Sequence, residues 1–218
     1  MSGKKQILIV DDHPVFCLGM TELINKEKDL RVSYSVDTAD KAWDIISGSR
    51  PDLVIVDISL AESNGIDLVE DITREHPELP VLVLSMYDES MYAQRALQAG
   101  ARGYVMKQKI IGRVVEAIRS VLDGNIFISP EIKEKMIQRM VSRKSGPPQF
   151  SLDVLTNREL EVFRLMGEGL DAKEIAARLH LSLKTIGTHR EKIKEKYNLK
   201  HYTELVKAAV DWSHKVKK

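Results

Sequence analysis

Residues Gln6-Ile7-Leu8-Ile9-Val10-Asp11-Asp12-His13-Pro14 carry the reading of the first half of the chain. Four consecutive aliphatic side chains with no polar alternation make a strand apolar on both faces, which suits a sheet covered from both sides. The run stops at two carboxylates. Pro14 then opens a stretch with helical spacing in which Val15, Leu18, Leu23 and Ile24 share one side. A fully buried strand that ends in acidic residues and turns into a helix is the repeating unit of parallel α/β sheets.

The same pattern recurs four times. Apolar runs lie at Arg31 to Val36, Asp52 to Asp57, Pro80 to Ser85 and Arg102 to Met106. Helical spacing follows at Lys41 to Ile46, Ile66 to Arg74, Met91 to Ala99 and Ile110 to Leu122. The prediction is a doubly wound (βα)5 sheet over residues 1–125. Asp123-Gly124-Asn125 reads as a turn, and Ser129-Pro130-Glu131 as a helix start running to about Arg143. Ser145-Gly146-Pro147-Pro148-Gln149 cannot continue that helix, so residues 126–151 are expected to be a partly helical linker. Beyond it no strand pattern appears. Helical stretches at Asn157 to Met166, Ala172 to Leu179, Leu183 to Tyr197 and Thr203 to Trp212 predict a four-helix domain over 152–218.

At 218 residues, with 43% apolar and 30% charged side chains, the chain has room for two ordinary globular cores. No apolar run approaches the roughly 20 residues of a membrane span, and Asp11 and Asp12 cut short any leader-like stretch behind Lys4 and Lys5. The one cysteine, Cys17, cannot form an internal disulfide. These features point to a cytoplasmic protein without a membrane partner. A net charge of +1 hides an asymmetry. Residues 1–125 hold 14 Lys and Arg against 20 Asp and Glu, whereas residues 126–218 hold 19 against 12. The basic half suggests an anionic partner, and the acidic half suggests cation chemistry or simple solubility.

In an open parallel sheet, ligands bind beyond the carboxyl ends of the strands, near the point where strand order reverses. Those ends carry Asp11 and Asp12, Asp57, Ser85 and Lys107. Carboxylates gathered at strand tips repel one another, so such a site takes up a proton or a cation. Oxygen donors with open positions suit Mg²⁺, and Lys107 supplies a second positive charge. A carboxylate beside these charges can attack phosphorus while metal and lysine neutralise the equatorial oxygens.

In the basic half, Ala172 to Leu179 and Leu183 to Tyr197 flank a short break at His180-Leu181-Ser182, the spacing of a helix-turn-helix, with Ser182 placed to cap Thr185. Ile186, Ile193 and Tyr197 share the inner face of the second helix. The opposite face carries Lys184, Thr188, Glu191 and Glu195, flanked by Gly187 and Lys192, and this is the face expected to enter a major groove. Lysines there find phosphates; Thr188 can touch a thymine methyl and Glu191 can accept from a cytosine amino group. The candidate DNA-binding set is Lys184, Thr185, Gly187, Thr188, Glu191, Lys192 and Lys196.

Asp11-Asp12, Asp57, Ser85 and Lys107, with Gly65 and Tyr104, resemble the receiver domain of bacterial response regulators. The series Leu155-Thr156-Asn157-Arg158-Glu159-Leu160-Glu161-Val162, Gly169, Lys173 to Ala176, Ser182, Lys184 to Ile186 and His189 resembles the LuxR-type DNA-binding domain. Together they resemble the NarL/FixJ class. The resemblance implies a flavodoxin-like sheet in the order 2-1-3-4-5 and a regulator of transcription rather than an enzyme. Asp57 would be the phosphoacceptor for a histidine kinase, with Mg²⁺ held by Asp11, Asp12, Asp57 and the main-chain carbonyl of Ser59. Lys107 would hold the phosphoryl group, Ser85 and Tyr104 would move inward, and the active protein would be a DNA-bound homodimer. Ala61 and Gln108 stand where proline is common, so a looser loop is expected after Asp57 and a cis bond after Lys107 is not implied. Gly187 stands where relatives carry larger side chains, and Asn157 replaces a common proline.

Three rival readings carry less weight. A Mg²⁺-dependent phosphohydrolase lacks a separate general acid or substrate cap. A phosphorylation-independent docking receiver fits poorly with intact Asp57 and Lys107. A dinucleotide enzyme lacks glycines after strand one.

Overall fold

The computed structural model describes residues 3–60, 63–109, 112–141 and 152–216. Two compact units divide the chain, Met1–Arg143 and Lys144–Lys218.

The first unit alternates β1 (Lys5–Val10), α1 (Pro14–Asn25), β2 (Leu30–Val36), α2 (Ala39–Ser49), β3 (Leu53–Asp57), α3 (Gly65–Glu75), β4 (Val81–Ser85), α4 (Glu89–Gln98), β5 (Gly103–Met106) and α5 (Val114–Leu122). All strand pairs are parallel, in the order β2-β1-β3-β4-β5. The predicted doubly wound sheet is therefore the observed one. Successive side chains of a strand point to opposite faces. Ile7, Ile9, Leu53, Ile55, Leu82 and Leu84 meet Met20 and Ile24 of α1 and Val114, Ile118 and Val121 of α5 in one cluster. Leu8, Val10, Val54, Val56 and Val83 are equally buried, and α2 packs on β1 and α3 on β3. Burial on both sides is why the strand sequences show no alternation.

In the first unit, helix limits differ most from the periodicity at α2 and α5. Thr38 accepts the Lys41 N–H and caps α2, so this helix is longer than its apolar core. α5 starts at Val114 because Lys107–Lys109 forms a single 3₁₀ turn and Gly112 adopts a positive φ of 89°.

The segment after α5 belongs to this unit as well. The Phe127 N–H donates to the Arg102 carbonyl and the Tyr104 N–H donates to the Phe127 carbonyl, both at 2.9 Å, forming one parallel bridge on the outer edge of β5. Ser129 caps α6 (Pro130–Val141) through the Ile132 N–H, and α6 packs on α4. Residues 126–141, expected to be linker, thus continue the first unit, with Phe127 in its core. Ser145 to Gln149 lies outside the described residues.

The second unit contains α7 (Asn157–Gly167), α8 (Ala172–Arg178), α9 (Leu183–Lys196) and α10 (Tyr202–Val216), the four helices expected. Capping boxes at Thr156/Glu159 and Asp171/Glu174 satisfy the first N–H groups of α7 and α8. Leu160, Phe163, Ile175, Ile186, Ile193 and Leu205 form the core, and the Phe163 ring lies 5.7 Å from those of Tyr197 and Trp212.

Candidate metal and phosphoacceptor site and nucleic-acid interface

The sheet brings Asp11, Asp57, Ser85 and Lys107 to neighbouring strand ends, all of them buried. Lys107 Nζ lies 2.6 Å from Asp11 Oδ2 and 2.8 Å from Asp57 Oδ2. Burial pushes the Asp57 carboxyl up from 3.8 to about 6; the Lys107 ammonium opposes that shift and Asp11 adds to it. Burial pulls the Lys107 ammonium down, but Asp57 and Asp11 outweigh it and hold its pKa above the usual value. Asp57 Oδ1 and Asp12 Oδ1 are buried without a hydrogen-bond partner. Single donor atoms of Asp11, Asp12, His13 and Asp57 all lie within 4.8 Å of one another. Three carboxylates, only two of which meet the Lys107 ammonium, leave uncompensated negative potential and free oxygens, so the residues present fit a hard divalent cation.

The return from β3 is tight. A Cβ on Gly65 would sit 1.8 Å from the Asp57 carbonyl oxygen, so only glycine lets α3 start here. The Gly65 N–H donates to the Ile58 carbonyl, Ser59 bridges Asn64, and Asn64 caps α3 through the Ile66 N–H. Ala61 and Glu62 of the expected loose loop lie outside the described residues. Gln108 sits in the 3₁₀ turn, and no cis peptide occurs among the described residues.

Ser85 Oγ accepts the Tyr87 N–H at 3.1 Å, and the Tyr104 hydroxyl donates to the Tyr87 carbonyl at 2.9 Å. Tyr104 is already turned inward, and burial pushes its phenol pKa up. The Ser59 hydroxyl donates to the Tyr87 hydroxyl at 2.6 Å, and the Tyr87 ring stacks on Tyr92. Tyr87 thus joins the Ser85 and Tyr104 positions, a role the sequence reading missed; its place two residues beyond Ser85 was the available signal.

In the second unit, α8 and α9 meet across a turn in which His180 takes a positive φ of 52°. Ser182 caps α9 by accepting the Thr185 N–H at 3.1 Å, as expected. Lys184, Gly187, Thr188, Glu191 and Lys192 are exposed while Ile186 and Ile193 are fully buried, so the predicted outer face is the solvent face. Thr188 Oγ1 donates to the Lys184 carbonyl, which commits its hydroxyl proton to the helix. Three further members of the expected DNA-binding set are engaged within the unit. The Thr185 hydroxyl pairs with Ser182, Glu191 Oε2 lies 2.9 Å from Lys194 Nζ, and Lys196 Nζ lies 2.6 Å from Glu159 Oε2 at the start of α7. The Arg190 guanidinium lies over the Tyr202 ring at 4.9 Å.

The family model described as response regulator receiver domain matches residues 7–119, and that described as bacterial regulatory proteins, luxR family, matches residues 153–209. The chain belongs to the LuxR-family response regulators. It is 30% identical to the transcriptional regulatory protein DegU of Brevibacillus brevis, over 94% of this chain and 92% of that protein. It is 31% identical to the oxygen regulatory protein NreC of Staphylococcus carnosus, over 94% and 96%. RcsB of Salmonella enterica serovar Typhimurium, solved bound to promoter rprA in the presence of phosphomimetic BeF3⁻, shares the fold. Its TM-score is 0.61 at 23% identity, over 94% of this chain and 98% of that one.

As a response regulator of this family, the protein is a two-component regulator that controls transcription. Its receiver carries an acidic cluster able to hold a metal, and no helix among the described residues is long and apolar enough to cross a membrane.

Proposed function

We propose that Asp57 accepts a phosphoryl group from the phosphohistidine of a partner kinase, and that this switches DNA binding by the second unit. The observation that carries the reading is the pairing of a deeply buried carboxylate, one oxygen unpartnered, with the Lys107 ammonium 2.8 Å from the other. In the transfer, an Asp57 oxygen forms the new P–O bond as the P–N bond to the kinase histidine breaks. Lys107 neutralises charge on the transferred oxygens. A divalent cation such as Mg²⁺, held by Asp11, Asp12, Asp57 and the Ser59 main-chain carbonyl, supplies further charge neutralisation when bound.

After transfer, Asp57 no longer offers Lys107 a full carboxylate, and the phosphoryl oxygens become new acceptors. Ser85 Oγ is positioned to turn toward them, releasing the Tyr87 N–H and with it the Tyr87–Tyr104 hydrogen bond. These contacts are the two-state element that phosphorylation biases. The phosphoryl group is held as a signal rather than turned over on a substrate.

Residues 1–125 serve as the receiver, which 126–141 extend, and 152–218 bind double-stranded DNA as one half of an active homodimer in the cytoplasm. Lys184 and Lys192 supply phosphate contacts, and Gly187, Thr188 and Glu191 face the base edges. Thr185 and Lys196 flank that face. Incubating the full-length protein with a labelled small phosphodonor tests the reading. Acid-labile label appears with Mg²⁺, and is lost in Asp57→Asn and on chelation. Undiminished labelling of Asp57→Asn would move the acceptor elsewhere.

A further inference from the structure

The sequence pattern assigns no role to His13, which follows Asp11 and Asp12 directly. The structure places its ring at the solvent-facing edge of the acidic site, with 58% of the side chain exposed. His13 is the N-cap residue of α1, with extended backbone, and Pro14 at the first helical position fixes the chain direction after it. Its N–H donates to Asp11 Oδ1 at 3.0 Å, which draws that carboxylate back over the residue. The ring nitrogen Nδ1 then lies 2.8 Å from Asp12 Oδ1, 3.0 Å from Asp11 Oδ1 and 3.9 Å from Asp57 Oδ2.

A hydrogen bond between Nδ1 and Asp11 Oδ1 accounts for one of these contacts and leaves the close approach to Asp12 Oδ1 unexplained. One ring nitrogen carries either one proton or one lone pair, so it serves one oxygen at a time. Asp12 Oδ1 is buried and makes no hydrogen bond, although Nδ1 is 2.8 Å away. Adjacent donors around an octahedral ion with bonds of about 2.1 Å lie about 3 Å apart, the spacing of Nδ1 from the Asp11 and Asp12 oxygens. Lys107 holds Asp11 Oδ2 and Asp57 Oδ2, which leaves Asp11 Oδ1 to His13 and Asp57 Oδ1 without a partner.

We propose that His13 Nδ1 is an inner-sphere ligand of the divalent cation held by Asp11, Asp12 and Asp57, and that it tilts the site toward first-row transition ions over Mg²⁺. The proposal rests on the metal reading of that cluster. Mg²⁺ is served by oxygen donors and dehydrates reluctantly. Replacing one water by an imidazole favours ions that accept nitrogen, and the preference grows from Mn²⁺ through Fe²⁺ to Co²⁺. His13 is then a specificity-determining residue, deciding which cation loads the receiver.

Pulsed EPR of Mn²⁺ bound to the full-length protein tests this without any substitution. Protein with natural-abundance histidine shows nitrogen modulation from a directly bound imidazole, and ¹⁵N-histidine labelling changes its pattern. In parallel, His13→Phe, which keeps a ring but removes the donor, lowers Mn²⁺ and Co²⁺ affinity by at least about tenfold, while Mg²⁺ affinity shifts by less than about twofold. Bound Mn²⁺ without histidine-dependent modulation would overturn the proposal and leave the metal site standing. Equal losses for Mn²⁺ and Mg²⁺ would overturn it too, because the ring would then act on the carboxylates and not on the ion. Failure of the wild-type protein to bind any of the three ions would remove the metal site itself and this proposal with it.

Discussion

In the first unit Asp11, Asp57 and Lys107 are buried together while Asp57 Oδ1 and Asp12 Oδ1 lack hydrogen bonds. In the second unit Glu159 is as deeply buried, but its carboxylate accepts from the Thr156 N–H at 2.8 Å and from Lys196 at 2.6 Å. The contrast shows in titration. Asp57 is pushed up to about 6 because burial outweighs its one lysine; burial also raises Glu159, but Lys196 and Thr156 prevail and hold it below the usual range. An unsatisfied buried charge is costly, and a fold retains it where incoming charge completes the set. A satisfied one fixes an element in place. The first unit keeps the unmet charge of Asp57 and Asp12 inside, at the strand ends; the second ties the Glu159 carboxylate to Thr156 and Lys196 and leaves Lys184 and Lys192 exposed at the surface.

The largest effect expected from this difference concerns Lys107. Lys107→Ala removes the ammonium shared by Asp57 and Asp11, so the rate of acid-labile phosphate incorporation falls by roughly 10² to 10³, measured with a labelled small phosphodonor at saturating Mg²⁺. A rate within about threefold of wild type would mean that the lysine only compensates the resting carboxylates.

The next effect separates the units by pH. Asp57 has a folded pKa of about 6, above its unfolded value of 3.8, so the folded first unit binds the extra proton between those values and gains stability as pH falls through that window. Between pH 7 and pH 5, with chelator present, the gain is about 1 kcal/mol, and it is absent in Asp57→Asn. Glu159 has the opposite sign. Its folded pKa is depressed, so its contribution is present above the unfolded value of 4.5 and is lost as pH falls through the lower folded value. Thermal unfolding of the chelated protein should show the first unit strengthened at pH 5 and the second weakened only in stronger acid. A parallel response of both units would break the comparison.

Legibility follows the same division. The sheet could be read from continuous apolar runs such as Leu53-Val54-Ile55-Val56, because burial on both faces leaves no other pattern, and Asp11, Asp57, Ser85 and Lys107 could be read because they interrupt those runs at one end. Tyr87, His13 and the Phe127–Ser129 segment could not. Tyr87 meets Ser85 and Tyr104 through its backbone groups, which sequence does not encode. Phe127 looks like one apolar residue in a polar connection, although it pairs with β5 and the following Ser129 N–H donates to the buried Glu89. In the second unit the outer face of α9 was legible from its 3.6-residue period. That Lys196 is tied to Glu159, 37 positions away, was not.

A smaller effect tests the exposed lysines. Lys192 is exposed on α9 and Lys196 is held by Glu159, so Lys192→Ala weakens binding to all DNA sequences and reduces the slope of log K against log[salt] by about one. Lys196→Ala changes that slope less and instead lowers the thermal stability of the second unit, since a buried carboxylate loses its cation. Equal slopes for the two variants would place both lysines on phosphates.

The smallest effect lies at Gly187. A glycine in a helix interior costs about 0.5 kcal/mol or more relative to alanine. Nothing lies within 4 Å of a Cβ built there, and the residue is exposed, so alanine meets no steric opposition in the unit itself. Gly187→Ala should therefore raise the stability of the second unit by about 0.5 kcal/mol, read as a small rise in its melting temperature. Its effect on DNA then sharpens the contrast between the units. If the outer face of α9 meets a groove at van der Waals distance, the added methyl lowers specific affinity while stability rises, and non-specific binding, which depends on the lysines, stays unchanged. If specific affinity and stability rise together, the helix binds without close approach at this position, and base reading falls to Thr188 and Glu191 alone.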